Sequence, residues 1–242
     1  MAGHSHWANI QRTKSKMDAK RGKIFSKWAK LIMSASRQGG SDAAMNLPLR
    51  YAIERAKADN MPNDSIERAV KKGAGELDGP QPEDVLYEAY GQGGVAIMIE
   101  TLTDNRNRTI GNLRQVMVKK GGTMGNAGSV AYMFERKATF AILRGGVDED
   151  EIMELALELG ADDVTTDEPE IFGVEAEPGL FIPLKEAFDA KGYELVDAAI
   201  RYVPENEISV DLETTEKLQI LIDAIEDDDD VQAVHHNADF AE

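Results

Sequence analysis

Cysteine is absent from the 242-residue chain, which excludes disulfides, thiolate catalysis and thiolate metal sites. Long apolar runs are absent too. None approaches the roughly 18 to 20 residues that cross a bilayer, and the opening MAGHSHWANIQ lacks the apolar core of a secretory signal. A cytoplasmic protein without a membrane partner is expected. Histidine is scarce: His4 and His6 lie near the start, His235 and His236 near the end. With no cysteine or fixed scaffold beside them, they do not make a metal site. No Ser/His/Asp arrangement or carboxylate pair emerges from spacing, so neither enzyme activity nor a cofactor is expected. Acid is what the first 40 residues lack. Asp18 stands there against nine lysines and arginines, although the whole chain carries a net charge of -17.

That charge is segregated. Residues 1–77 carry 15 basic and 7 acidic side chains, residues 78–134 carry 5 and 6, and residues 135–242 carry 7 and 31. A basic arm on an acidic body points to a polyanion as partner. The length allows one or two domains, or three small ones, and 42 % hydrophobic residues supply an ordinary core.

Residues 3–20 offer only Trp7, Ile10 and Met17 as sizeable apolar groups, too few to bury, and read as an arm that orders on a partner. From Gly22 the pattern changes. Ile24, Phe25, Trp28, Leu31, Ile32 and Ala35 recur at helical spacing, and Gly39-Gly40 ends the helix. Pro48 suits the first turn of a second helix with Leu49, Ala52, Ile53 and Ala56 inward. A third, with Asp64 and Glu67 spaced as a capping box, buries Ile66, Ala69 and Val70 and stops at Gly73. AGELDGPQPE (74–83) has linker composition. Beyond it the period falls towards 2. VLYEAY (85–90) and VAIMIETL (95–102) flank GQGG as a hairpin, a helix follows TDNRNRT, and strands are expected at 129–134 and 138–143. A helix over 150–159, strands near 162–166 and 172–177, a helix over 184–190 and a strand over 194–203 come next. The chain closes with a strand at 207–212, a helix over 216–225 and a strand at 231–236.

The order over 138–203 is β-α-β-β-α-β, that of a ferredoxin-like plait. The flanking β-α-β segments, 95–134 and 207–236, would together form a second. The expected fold class is thus multidomain α and α+β: an N-terminal three-helix bundle, then two ferredoxin-like α+β domains, the third inserted into the second. The boundaries are 1–77 for arm and bundle, 84–134 with 205–242 for the split domain, and 135–204 for the acidic insert.

Lysine and arginine release counterions from a phosphate backbone, which makes Arg12, Lys14, Lys16, Lys20, Arg21, Lys23 and Lys27 the candidate nucleic-acid contacts. Trp7 either stacks on a base or folds back on the bundle. Arg106 and Arg108 sit at a strand-to-helix junction. A helix N-terminus favours anions and an arginine fork suits phosphate. The alternative is structural: Asp104 or Asn105 caps the helix and the arginines pair with carboxylates of the acidic domain. GGTMGNAGS (121–129) precedes a strand and has no lysine after its glycines, so it reads as a tight turn, not a phosphate loop; GQGG fails as a dinucleotide fingerprint likewise. DDDD (227–230) reads as a solvated turn.

These residues also resemble the YebC/PmpR family, nearly end to end. The resemblance is carried by HWANIQRTKSKMDAKRGKIFSKWAKLI, NLPLRYAIERAKADNMPNDSIERAVKKGAG, YEAYGQGGVAIMIETLTDNRNRT and KKGGTMGNAGSVAYMFE. The family more often has lysine where His6 stands, and more basic residues around Gln11 and Thr13. The resemblance implies a three-domain regulator without catalysis. It is usually described as DNA-binding and transcriptional, and it includes a mitochondrial translational activator of cytochrome oxidase. Members are also placed at the ribosome, where they help translation through proline-rich stretches. Two functions are therefore open: a transcription regulator gripping duplex DNA, and a ribosome-associated translation factor gripping ribosomal RNA. The acidic end suits a partner such as the ribosome or the transcription machinery, and its charge suggests a monomer.

Overall fold

The computed structural model describes residues 21–241, with side chains from Lys23 onward. Among the described residues three helices come first: α1 (Arg21–Gly39), α2 (Leu47–Ala58) and α3 (Asn63–Gly73). Strands β1 (Glu83–Tyr90) and β2 (Ala96–Thr103), helix α4 (Arg106–Lys120) and strand β3 (Thr123–Met124) follow. Next come β4 (Phe134–Leu143), α5 (Glu149–Glu158), β5 (Asp163–Thr165), β6 (Ile171–Ala176), α6 (Phe181–Lys191) and β7 (Leu195–Pro204). The last elements are β8 (Ile208–Val210), α7 (Leu212–Glu226), β9 (Val231–His236) and β10 (Ala238–Phe240). The chain is thus mixed α/β, three N-terminal helices preceding the sheets. The described residues divide into two compact units: residues 21–130 with Glu213–Val234, and Ala131–Leu212 with residues 235–241.

In the first unit the helical stripes meet as their spacing requires. Ile32, Leu49, Ala52, Ala56, Met61, Ile66 and Ala69 form one buried cluster. Small residues bring α1 and α3 close: a Cβ on Gly73 would collide with the Met33 carbonyl oxygen and the Ser36 Cβ, and the Ser36 hydroxyl donates to the Val70 carbonyl at 2.9 Å. Asn46 caps α2, its Oδ1 accepting the Leu49 N–H at 3.1 Å. The capping box expected on α3 does not form. The helix starts at Asn63 behind Pro62 with no side-chain cap bond, which places Asp64 inside the first turn, where its charge faces the positive end of the helix.

The same unit holds a four-stranded sheet in the order β3-β1-β2-β9. The β1–β2 hairpin is antiparallel, Glu83 opposite Thr103 and Tyr90 opposite Ala96. Strand β2 buries seven of its eight residues, and so lacks the alternation of a one-sided strand. Leu113 and Met117 of α4 and Leu218, Leu221 and Ile222 of α7 are buried too.

In the second unit β4, α5, β5, β6, α6 and β7 build a sheet ordered β5-β6-β4-β7, every neighbouring pair antiparallel. Its core joins Phe140, Ile142, Phe172 and Val174 of the sheet to Ile152, Ala156, Leu184 and Phe188 of the helices. Phe140 stacks on Phe181 and meets Phe188 edge-on, both with ring centroids 5.3 Å apart.

Two expected strands are corrected. Residues 129–134 do not form one: Ala131–Met133 is a 3-10 turn and Phe134 opens β4, which runs unbroken to Leu143. Residues 207–212 supply only β8, which pairs in parallel with β10 in a sheet of two. The four-stranded sheet of the first unit therefore holds β2 and β9, as expected for a second plait, but is completed by β1 and β3 and not by residues 129–134 and 207–212.

Candidate nucleic-acid interface

Helix α1 sets Lys23, Lys27 and Lys30 at spacings of four and three, on one face. That face meets the end of α7. The Lys23 ammonium donates to the Asp227 carbonyl at 2.6 Å, Lys27 to the Glu226 carbonyl at 3.1 Å and Lys30 to the Asp229 carbonyl at 2.6 Å. The last carbonyls of a helix have no partner within it and carry its negative pole. Helix α7 has no basic residue in its last turn, and the three lysines of α1 supply the missing cations. Burial pushes the Lys27 ammonium below its usual range, against the pull of Glu226, Asp229 and Asp227.

At the centre of this contact is Asp230, only 2 % exposed. Its carboxylate accepts from Lys30 at 2.5 Å, from the Arg108 guanidinium at 2.8 and 3.0 Å, and from the Thr109 and Thr103 hydroxyls at 2.7 and 3.2 Å. Its backbone carbonyl accepts the Leu102 N–H at 2.8 Å. Burial opposes the charge on Asp230, yet the hydrogen bonds from Lys30, Arg108 and Thr109 outweigh it and lower the carboxyl to about 2. The expected solvated DDDD turn is therefore corrected at its last residue, which is a buried hub.

The strand-to-helix junction is filled by the protein itself. Asn105 caps α4, its Oδ1 accepting the Arg108 N–H at 3.0 Å. Arg108 bonds Asp104 at 2.8 Å as well as Asp230, and Arg106 grips Glu83 with two bonds of 2.6 and 2.8 Å. Hydrogen bonding from Arg106 holds the Glu83 carboxyl below its usual range. Both arginines thus take carboxylate partners, as the structural alternative required. Those partners, Glu83, Asp104 and Asp230, lie in the first unit and not in the acidic insert.

The glycine-rich turn after α4 is likewise an occupied anion cradle. Glu88, on β1 and 8 % exposed, accepts the Gly128 N–H at 2.5 Å and the Val130 N–H at 2.6 Å. Two backbone donors that would suit a phosphate hold this carboxylate instead. His235 lies edge-on to Tyr202, ring centroids 5.7 Å apart, and the His236 Nδ1 accepts the Ala238 N–H at 3.2 Å. Among the described residues no group of three His, Asp or Glu side chains is placed to hold a metal, and no helix is long and apolar enough to cross a membrane.

Of the candidate contacts, Lys23, Lys27, Arg106 and Arg108 are therefore placed in intramolecular pairs. Trp7, Arg12, Lys14, Lys16 and Lys20, with His4 and His6, lie outside the described residues; Arg21 opens α1. Sequence reasoning missed Asp230, Glu88, Thr103 and Thr109. One signal was available: an acidic run directly after a helix opposes the macrodipole and calls for cations from elsewhere.

Two family models cover nearly all of the chain. The TACO1/YebC protein N-terminal domain matches residues 5–76, and the TACO1/YebC second and third domain matches residues 82–238. A probable transcriptional regulatory protein of Clostridium tetani is 49 % identical, covering 100 % of this chain and 98 % of its own. One from Solidesulfovibrio magneticus is 50 % identical, covering 99 % and 98 %. The crystal structure of a conserved hypothetical protein from Aquifex aeolicus superposes with a TM-score of 0.84 at 43 % identity, over 94 % of each chain. The chain belongs to the TACO1/YebC family.

Proposed function

We propose that this protein is a nucleic-acid-binding regulator of gene expression that grips duplex DNA through its basic N-terminal arm and helical bundle. The observation that carries the reading is the charge segregation: 15 basic against 7 acidic side chains over residues 1–77, on a chain of net charge -17. The naming of its relatives as probable transcriptional regulatory proteins supports it. In this reading Arg12, Lys14, Lys16, Lys20 and Arg21 contact phosphate and Trp7 lies against a base or in a groove. The chain acts as a cytoplasmic monomer without catalysis. Bundle, split domain and acidic insert are its three domains, the insert a ferredoxin-like plait whose charge keeps that end off the DNA.

A second reading, a translation factor on ribosomal RNA that relieves stalls at proline-rich stretches, is favoured by the 31 acidic against 7 basic side chains of residues 135–242. Such an end suits basic protein neighbours. One experiment separates the two: fluorescence anisotropy of the full chain on a 20-base-pair DNA duplex and on a structured RNA hairpin, titrated with salt. The DNA reading expects duplex binding that K14E/K16E/K20E abolishes. Binding to the hairpin alone would transfer the arm to RNA, and binding to neither would end both readings.

A further inference from the structure

The lysines of α1 belong to a longer stripe. Lys23, Lys27, Lys30, Ser34 and Arg37 follow one another at spacings of four, three, four and three. At about 100° per residue they fall within about 80° round the axis, on one face of the helix. Phe25, Trp28, Ile32 and Ala35 lie on the opposite face and pack into the bundle. A bundle standing alone would turn this cationic stripe to solvent. In the folded unit the chain's own oxygens cover it. Lys23, Lys27 and Lys30 reach the end of α7. The Arg37 guanidinium donates to the Pro82 carbonyl at 2.7 Å and lies 3.8 Å from the Asp84 carboxylate of β1.

These contacts are unequal. Lys30 is the pin, its side chain 15 % exposed and its charged partner Asp230 buried. Lys23 and Arg37 stand at the two ends, about 21 Å apart along the axis, with side chains 42 % and 37 % exposed. Each has a neutral backbone carbonyl as its short acceptor. The carboxylates beside them, Asp227 and Asp84, are 3.9 and 3.8 Å away and are themselves exposed, and exposed pairs hold weakly. A hydrogen bond to an ionised acceptor is about twice as strong as one between neutral groups. Phosphate oxygens are ionised acceptors, so a duplex outcompetes the two carbonyls and leaves the Lys30–Asp230 pin in place.

Resting on the reading of the arm and bundle as a duplex-DNA grip, we propose that Lys23 and Arg37 are duplex contacts held in reserve. Asp227 and Asp84, with the carbonyls beside them, stand in for phosphate until the duplex takes both cations over. The acidic turn after α7 and the start of β1 therefore restrain the affinity of the bundle. The test is anisotropy on the same duplex with the full chain, K23Q/R37Q, D84N/D227N and the combined four-site variant, each titrated with salt and checked for folding by circular dichroism. K23Q/R37Q should make the log–log salt slope shallower by about 1.8, at about 0.9 for each phosphate no longer neutralised, and K23R/R37K should restore it. D84N/D227N should tighten binding roughly two- to tenfold, as the loss of two weak ion pairs allows, and the four-site variant should lose that gain. An equal gain in both backgrounds would be a general easing of repulsion and would overturn the proposal. Should K23Q/R37Q not fold, D84N/D227N is compared with D150N/E158Q, which removes as much charge from exposed positions of α5; equal gains there overturn it too. Unchanged affinity and slope in K23Q/R37Q, beside a K14Q/K16Q/K20Q chain that fails to bind, overturns the reserve contacts and leaves the arm reading intact. A wild-type chain that ignores the duplex, whether or not it binds an RNA hairpin, overturns both.

Discussion

Asp230 shows how far one carboxylate can organise its surroundings. Its side chain is buried, and two cations and two hydroxyls converge on it. Because the folded carboxyl is held at about 2, below its usual value of 3.8, its stabilisation is complete above about pH 4 and is lost as the pH falls through 2. The difference corresponds to about 2 kcal/mol. D230N keeps the shape and removes the charge, leaving Lys30 without its counter-ion and Arg108 with Asp104 alone. Urea unfolding at pH 7 should show a loss of about 2 kcal/mol or more. The variant's stability should also be flatter than the wild type's between pH 4 and 2. Equal slopes for the two proteins in that window would mean that Asp230 is not the titrating group. None of this was legible from the aspartate itself. Its partners lie 121 to 200 positions away, and local composition reports only on neighbours.

At the scale of the element, helices were the most readable feature because their signals are local. Apolar spacing, Pro48 and the Gly39-Gly40 stop place α1 and α2 within a few residues, and GQGG between two β-rich runs marks the hairpin. The segment 129–134 departs from its pattern for a physical reason. Val130, Tyr132 and Phe134 alternate as in a strand, but the Val130 N–H is taken by Glu88 and not by a neighbouring strand. Side-chain capture of a backbone donor leaves no trace in a hydropathy pattern. That capture also fixes the turn. E88A would leave the Gly128 and Val130 amides without an acceptor, at a cost of about 1 to 3 kcal/mol. Hydrogen exchange should speed up at these amides and remain slow in the core strand β2; unchanged protection would show that the turn holds itself.

For the molecule as a whole, charge segregation was readable by counting, and it makes salt act in two directions. Screening should relieve repulsion among the 31 acidic side chains beyond residue 134 and raise the melting temperature between 50 and 300 mM salt. The same change should weaken duplex binding steeply. Parallel thermal scans and anisotropy titrations check this, and a melting temperature that falls with salt would give the internal ion pairs the greater weight. The sheet order β3-β1-β2-β9 has a further consequence, in time. Strand β9 and the acidic turn come from the end of the chain, whereas the strand and lysines they cover come from its first half. A chain emerging from the ribosome must therefore complete Ala131–Leu212 before the first unit can close. Until then the edge of β2 stays open to stray pairing, and α1 shows its full positive charge. Non-local closure of this kind is slow, so the nascent protein passes through a stage that is more basic and more adhesive than the finished one.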